Sequence, residues 1–236
     1  MQYNKESDSQ LSLFEEPVYN IIIGADEAGR GPLAGPVCAA AVVLPSDFPL
    51  DILADSKALS EKKRLLAEPV IKEKAIAWAV AWGTPKEIDQ INILQASILA
   101  MKRAYLLVKH QLETKGIKAE ILLVDGNKRP DVDIPCRAIV KGDATEPAIM
   151  AASILAKNTR DRFMVCVARR WPQYGFEKHK GYPCASHKAA LRKFGPCPIH
   201  RLTFKYLFSL SFLDALIFMK STAFWNSLMN CPRSSG

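Results

Sequence analysis

The sequence lacks the patterns that mark several large classes of protein. Its first residues, MQYNKESDSQLSLFEEP, contain no apolar core of the kind a secretory signal needs, so we expect a cytoplasmic protein. No internal repeat or low-complexity tract is present. With 236 residues, of which 49% are hydrophobic, the chain can bury a sizeable core. These features argue against general disorder and predict one globular domain with a short appendage.

Two glycine motifs for nucleotides are also missing. The stretch GADEAGRG is not followed by Gly-Lys-Ser or Gly-Lys-Thr, which excludes a Walker A loop, and it does not match the dinucleotide fingerprint. Its glycines would instead let the backbone of Gly29, Arg30 and Gly31 lie close against a ligand, where any side chain would collide.

A tight cysteine framework is missing as well, so we predict free thiols in a reducing compartment. The six cysteines are Cys38, Cys136, Cys166, Cys184, Cys197 and Cys231. One spacing, Cys184-x2-His187 followed by Cys197-x2-His200, has the ligand count of a zinc site. Against zinc, the segment between the two pairs reads as a short helix with its own apolar face, and prolines flank Cys197 on both sides.

Positive charge is concentrated in one part of the chain. The formal net charge is +8, and residues 157–205 carry twelve Lys or Arg against two acids, so the rest of the chain sums to −2. This asymmetry is typical of a nucleic-acid footprint, although a solvated helical face would look similar.

Strand and helix patterns alternate along the chain, which predicts an α/β domain. The predicted strands are YNIIIGADE, GPVCAAAVVL, AIAWAVAWG, AEILLVDGN and CRAIVKGD. Apolar spacing predicts one helix over about 87–111, with Thr84-Pro85 as its start signal, and another from near Thr145 that stops before Pro172.

Four acids follow predicted strands, at the sheet edge where α/β proteins usually bind ligands. They are Asp26, Glu27, Asp125 and Asp143. One such acid is ordinarily a turn or cap residue, but four carboxylates together would repel one another and take up protons without a counter-ion. Two Mg²⁺-like ions would solve this problem and support phosphodiester cleavage. Acids beside a basic surface therefore indicate a metal-dependent nuclease.

The motifs resemble those of bacterial ribonuclease HII, in the same order, over about residues 19–205. The matching segments are DEAGRGPLAGPV, DSKALS, VDGN, KGD followed by AASILAKNTRDRFM, and YGFEKHKGYP. The resemblance implies a ribonuclease H-like mixed β-sheet flanked by helices. It also implies a Mg²⁺- or Mn²⁺-dependent endonuclease that cuts the RNA strand of RNA–DNA hybrids, and cuts 5′ of ribonucleotides embedded in duplex DNA, leaving 3′-hydroxyl and 5′-phosphate ends.

The family's functional residues can be carried over one by one. Its catalytic and metal-binding acids match the four named above, its ribose-sensing Gly-Arg-Gly matches Gly29, Arg30 and Gly31, and its tyrosine matches Tyr182. The related ribonuclease HIII has Gly-Thr-Gly and an extra N-terminal domain, so Arg30 favours HII. Lys57 could contact a phosphate, although an exposed lysine before a helix needs no such role.

Other interpretations stay open at this point. A resolvase or transposase of the same fold would use similar acids without the ribose-sensing residues, and a non-catalytic binder has no reason to place acids opposite phosphates. Tyr182 could simply pack its turn, and Asp131 and Asp133 read as solvated loop residues.

The expected organisation is a flexible segment (1–18), a catalytic domain (19–205) and a helical tail (206–236). The tail is longer and more apolar than the family's ending, and Asp214 and Lys220 interrupt it too early for a membrane span. A packed helix is the simplest interpretation, and a duplex-contacting or membrane-surface helix is the alternative. We expect a monomer whose partners are hybrid or ribonucleotide-containing duplexes, with a replication clamp as a further candidate.

Overall fold

The computed structural model describes residues 20–53 and 60–208. Expectations for the first 18 residues, for Lys57 and for the tail beyond residue 208 lie outside the described residues. A short helix, Lys205–Phe208, crosses the expected start of the tail. Leu207 in that helix is buried with Ile199 in a hydrophobic cluster.

A mixed five-stranded sheet organises the described chain. The strands are β1 (Ile22–Ala28), β2 (Val37–Val43), β3 (Ala77–Gly83), β4 (Ile121–Asp125) and β5 (Cys136–Ile139), in the order β3-β2-β1-β4-β5. β1, β2 and β3 pair antiparallel, whereas β4 pairs parallel with both β1 and β5. All five predicted strands are therefore present.

Helices cover both faces of this sheet. They are α1 (Glu61–Lys74), α2 (Pro85–Thr114), α3 (Pro147–Arg170), α4 (Phe176–His179), α5 (Ala185–Phe194) and α6 (Lys205–Phe208). The two long predicted helices are confirmed as α2 and α3. α2 begins with a capping box between Thr84 and Glu87, and it is kinked at Asn92, whose φ of 65° interrupts the helix.

Strand β2 shows how one sheet serves two cores. Its sequence, VCAAAVV, is buried throughout, as expected for a central strand covered on both faces. Because side chains alternate along a strand, Ala39 and Ala41 pack with α2, and Cys38 and Ala40 pack with α1 and α3. Small side chains bring the helices close to the sheet. A Cβ at Gly24 would lie only 2.2 Å from the carbonyl carbon of Ala148 in α3.

Helix α2 is long and apolar enough, by length and composition alone, to cross a membrane. It nevertheless contributes Ala100, Ala104 and Val108 to the core beneath the sheet. Core helices of globular proteins pass the same test, so this property is weak evidence for a membrane.

Candidate active site

Asp26 and Asp125 stand side by side near the carboxyl ends of two parallel strands. Asp26 and Glu27 lie within β1, which continues to Ala28, and not after the strand as predicted. Ala25 of β1 pairs with Val124 of β4, and each aspartate is the next residue. Asp26 is buried, and its side chain accepts a hydrogen bond from Ser153 of α3. Burial, followed by the charges of Glu27 and Asp125, raises the pKa of Asp26 well above its usual value.

Glu27 is turned toward a different partner. Successive side chains alternate along β1, and the Glu27 carboxylate pairs with the Arg30 guanidinium at 3.2 Å, between Oε1 and Nη1. Its backbone N–H donates to Asp26 Oδ1 at 2.7 Å. Burial raises the pKa of Glu27 although Arg30 acts in the opposite direction.

Asp143 reaches the same edge by a different route from the predicted one. Strand β5 ends at Ile139, four residues before Asp143, and the chain turns through Lys141 with a φ of 62° into a 3₁₀ turn. The backbone N–H of Asp143 then donates to Asp125 Oδ1 at 3.3 Å. The prediction that a strand runs into Asp143 was therefore wrong, but the structure does bring Asp143 to Asp125.

The donor set fits a hard divalent cation. Carboxylate oxygens are the ligands that Mg²⁺ and Mn²⁺ prefer, and the charge of Asp125 raises the pKa of both Asp26 and Glu27, a repulsion that a cation would relieve. Within residues 20–53 and 60–208, no group of three or more acidic, histidine or cysteine side chains is already close enough to hold one ion. The acids thus share one edge without forming a closed cage.

The glycine loop after β1 is held by two buried arginines. Arg160 of α3 donates to the carbonyls of Pro36 and Ala34, at 3.0 and 3.1 Å. Arg201 donates to the carbonyls of Gly29, Arg30 and Gly35, at 2.6, 2.8 and 2.8 Å.

Only glycine fits at the start of this loop. Gly29 has a φ of 97°, and a Cβ there would lie 1.9 Å from Arg160 Nε. The loop therefore needs a bare backbone at Gly29 for internal packing, a reason different from the predicted contact with a ligand.

Tyr182 lies beside the other end of the loop. Its Cε1 atom is 3.5 Å from the point that a Cβ at Gly31 would occupy, and 42% of the residue is exposed. Lys157 of α3 places its Nζ 6.0 Å from the ring centroid. The preceding Gly181 accepts a hydrogen bond from Leu33 N–H at 2.8 Å, which fastens the tyrosine turn to the glycine loop.

Comparison with known proteins identifies the family. The family model for ribonuclease HII matches residues 23–207. A ribonuclease HII from Dechloromonas aromatica is 53% identical over 184 residues, which cover 78% of this chain and 90% of that protein. The chain belongs to the ribonuclease HII family. It is therefore a metal-dependent endoribonuclease that acts on RNA–DNA hybrids, and the motif-based assignment over HIII is confirmed.

Solved structures confirm the ribonuclease H-like fold. The ribonuclease HII of Archaeoglobus fulgidus, solved in complex with PCNA, is 25% identical with a TM-score of 0.61, over 78% of this chain and 95% of that one. A Bst-RNase HIII solved in complex with Mn²⁺ gives a TM-score of 0.64 at 18% identity, over 80% of this chain and 68% of that one, and this match supports the fold alone.

The cysteine and histidine pairs in this ribonuclease HII do not come together as a four-ligand site. His187 Nδ1 donates to the Tyr182 carbonyl at 3.0 Å, so its Nε2 accepts from His200 Nε2, also at 3.0 Å. His200 Nδ1 in turn accepts from the Cys197 backbone N–H at 2.9 Å. Hydrogen bonds thus occupy all four ring nitrogens, and Cys184 contacts the Ser186 hydroxyl instead.

Free thiols are confirmed at four of the predicted positions. These are Cys38, Cys136, Cys184 and Cys197. The prediction is wrong at Cys166, which is disulfide-bonded.

Several basic residues of segment 157–205 are buried or paired with acids, so fewer of them are available at the surface than the net charge suggests. Arg160 and Arg201 are fully buried, and Lys157 and Arg162 pair with Asp161 and Glu68 respectively. Six others are exposed: Arg169, Arg170, Lys178, Arg192, Lys193 and Lys205. The predicted nucleic-acid footprint is thereby reduced, and part of the charge belongs to the interior.

Sequence reasoning missed both buried arginines of the loop. One signal existed for Arg160, because it occupies a helical position between Ala156 and Met164, at a spacing of four, where the neighbouring turns place buried apolar side chains. Arg201 follows Ile199 and His200 in an irregular segment, and no periodicity identifies it.

Two residues of the loop after β4, Asp131 and Asp133, were predicted to be solvated. Asp133 is not simply solvated, because it accepts a hydrogen bond from the buried Tyr105 hydroxyl at 2.6 Å and pairs with Lys109. Asp131 matches the prediction, since its side chain is exposed. Its Oδ2 atom lies 3.7 Å from Lys102 Nζ.

Proposed function

We propose that this chain cuts 5′ of single ribonucleotides in duplex DNA, as well as within RNA–DNA hybrids, by two-metal-ion catalysis that leaves 3′-hydroxyl and 5′-phosphate ends. The observation that carries the proposal is the adjacency of the acids and the glycine loop. Gly29 follows Asp26 by three residues, at most about 10 Å of extended chain. One nucleotide can therefore place its phosphate at the acids and its sugar at the loop.

The four acids Asp26, Glu27, Asp125 and Asp143 would hold the cations, with Glu27 acting partly through a water. When bound, two Mg²⁺ or Mn²⁺ ions supply an activated water and stabilise the leaving alkoxide. The contribution of the chain is to present neighbouring, partly buried carboxylates whose mutual repulsion makes a cation favourable. Mn²⁺ and Mg²⁺ are the two ions to test, because carboxylate oxygens suit both.

The glycine loop and Tyr182 would read the sugar. A 2′-hydroxyl can donate and accept a hydrogen bond, and a site detects it only by placing polar groups within bonding distance. Arg30 and Gly31 are exposed next to the acids, so their backbone N–H groups can approach the ribose. The exposed ring of Tyr182 would stack on the next sugar, where deoxyribose fits and an added hydroxyl crowds.

Several further assignments belong to the same proposal. We keep residues 19–205 as a monomeric, cytoplasmic catalytic domain, with the first 18 residues and the tail from 206 as appendages. The archaeal ribonuclease HII was solved in complex with PCNA, which supports a replication clamp as a partner here. Gel filtration of this protein with the clamp of its own organism tests that contact.

The decisive experiment uses a duplex with one ribonucleotide beside an all-DNA duplex of the same sequence. We expect one cut 5′ of the ribonucleotide, only with divalent metal, and a 3′ end that a polymerase can extend. A hybrid with a continuous RNA strand provides the positive control. Cleavage of the hybrid but not of the single-ribonucleotide duplex would restrict the activity to hybrids, and equal cleavage of all-DNA would contradict ribose recognition.

Salt dependence tests the exposed basic residues. If they contact phosphates, the logarithm of the binding constant should fall with the logarithm of salt concentration, with a slope near −0.9 for each phosphate contact. Arg192→Gln on α5 and Lys178→Gln on α4 should each make the slope shallower by about one unit if that residue makes such a contact. A slope near zero in the unmodified protein would leave these charges as solvated surface.

A further inference from the structure

Arg201 is a buried cation that bonds to backbone rather than to an acid. It is fully buried, and in the described part of the chain its guanidinium hydrogen-bonds to carbonyl oxygens, those of Gly29, Arg30 and Gly35. Burial lowers its pKa to about 9, and the nearby Arg160 acts in the same direction. A buried charge of this kind is costly compared with an apolar side chain of similar size.

The bonds from Arg201 set the direction of two peptide units in the glycine loop. A peptide bond is planar and trans, so its N–H points opposite to its C=O. The Gly29 carbonyl points at Arg201, which turns the Arg30 N–H away from the core. The Arg30 carbonyl also points at Arg201, so the Gly31 N–H is turned outward as well. The two N–H groups therefore face the exposed side of the loop.

Arg201 is itself held in place from both sides. Its backbone N–H donates to the Leu33 carbonyl at 2.9 Å. The two following residues are anchored by Asp89 of α2, whose carboxylate accepts from the N–H groups of Leu202 and Thr203, both at 3.0 Å, and from the Thr203 hydroxyl at 2.7 Å. These hydrogen bonds fix the backbone around Arg201, so its guanidinium has a defined position against which the loop carbonyls are oriented.

We propose that Arg201 is a positioning residue for ribose recognition, because it orients the N–H groups of Arg30 and Gly31 toward the 2′-hydroxyl. The inference rests on the proposed function. A lysine has one ammonium group and cannot reproduce the planar fork that reaches three carbonyls, so Arg201→Lys should restore only part of the effect.

The test compares binding of two duplexes, one with a single ribonucleotide and one all-DNA, in the presence of a chelator so that neither is cut. The measured quantity is the ratio of their dissociation constants. We expect the wild-type protein to prefer the ribonucleotide duplex and Arg201→Gln to lose that preference by roughly fivefold, with Arg201→Lys between them. Lost folding alone lowers the active fraction equally for both duplexes and leaves the ratio unchanged.

Arg103→Gln is the matched control. Arg103 also donates to a backbone carbonyl, that of Trp82 at 2.7 Å, and pairs with Glu87, but it lies outside the site. This variant should lose thermal stability and keep the wild-type ratio. In parallel, Arg201→Gln should raise KM for cleavage of the ribonucleotide duplex.

Two results would overturn the role of Arg201. One is that both Arg201 variants keep the ratio of dissociation constants and the KM of the wild-type protein. The other is that the wild-type protein cuts the ribonucleotide duplex but binds both duplexes equally. A wild-type protein that cuts neither the ribonucleotide duplex nor the hybrid contradicts the proposed function itself, and the role of Arg201 with it.

Discussion

The site has two halves that differ in their electrostatics: the carboxylate half (Asp26, Glu27, Asp125 and Asp143) and the loop half (the glycine loop with Arg160 and Arg201). The carboxylate half gathers acids in which burial, followed by like charges, raises the pKa of Asp26 and Glu27. The loop half places the Arg201 cation against carbonyl oxygens that satisfy its hydrogen bonds. The like charges of the carboxylate half therefore repel one another in the protein by itself, whereas the Arg201 guanidinium of the loop half has hydrogen-bond partners within the protein.

This difference separates activity from stability. Removing a charge from the carboxylate half should abolish activity without weakening the fold, since the charges there repel. A change in the loop half should weaken both, because the same hydrogen bonds and packing shape the backbone and hold the domain together. Functional sites commonly store such unfavourable energy, at a cost to stability.

The largest effect is expected from Asp125→Asn, which keeps shape and removes charge. Turnover should fall by roughly a thousandfold, while duplex binding and thermal stability stay at or above wild type. Single-turnover cleavage and a melting curve measure the two. Asp131→Asn, at an exposed position on the following loop, is the control. Near-normal turnover of Asp125→Asn at ordinary metal concentrations would remove Asp125 from the site.

Two separate alanine substitutions in the glycine loop test the loop half. Gly29→Ala must place a Cβ against Arg160 at a positive φ, so we expect a loss of about 3 kcal/mol in the free energy of unfolding. Gly31→Ala meets only Tyr182 at 3.5 Å and should fold normally, with impaired cleavage. Gly31→Val should abolish cleavage. Urea denaturation of Gly29→Ala with a wild-type midpoint would contradict this account of the loop.

Acid should affect the carboxylate half and the buried His187–His200 pair in opposite directions. Burial lowers the pKa of His187 to about 4 and of His200 to about 3, below the usual 6.5, so the unfolded chain takes up protons first as pH falls. Stability from this pair is present above about pH 6.5 and decreases toward pH 4, by about 2 kcal/mol for each imidazole at pH 5. The raised pKa of Asp26 has the opposite sign, since its cost grows as pH rises.

Urea unfolding between pH 7 and 5 measures this difference. His200→Asn should be less stable at pH 7 but show a flatter dependence on pH, whereas His110→Asn, at an exposed position on α2, should keep the wild-type slope. Equal slopes in all three proteins would show that the buried pair does not control acid sensitivity.

The smallest effect is expected at Tyr182, where the ring is exposed and adds stacking to a loop that is already ordered. Tyr182→Ala should reduce cleavage at a single ribonucleotide roughly tenfold, and Tyr182→Phe should retain most activity, because stacking needs the ring and not the hydroxyl. Both are compared on junction and uniform-hybrid duplexes. Stacking is contradicted if Ala equals wild type on the junction, or if activity falls only in step with thermal stability.

Local pattern predicted much of the fold and part of the site. The continuous apolar run of β2 and the capping signals at Thr84 are encoded in neighbouring residues, so these elements could be recognised. Asp125 could be found because it ends β4, and Asp26 because it lies near the carboxyl end of β1. Asp143 was found for the wrong structural reason, since a turn through Lys141 and not the strand brings it to the edge.

Contiguous residues specify the order of strands and helices, the acids near the strand ends and the family, so each of these could be recognised from the amino-acid sequence. The environment of each charge, by contrast, is set by contacts between distant parts of the chain. Arg201 bonds to Gly29 and Arg30, more than 170 residues away in sequence, and His187 meets His200 across a helix and a turn. Such contacts depend on how the elements pack, and a count of basic residues treats a buried arginine and a surface arginine alike.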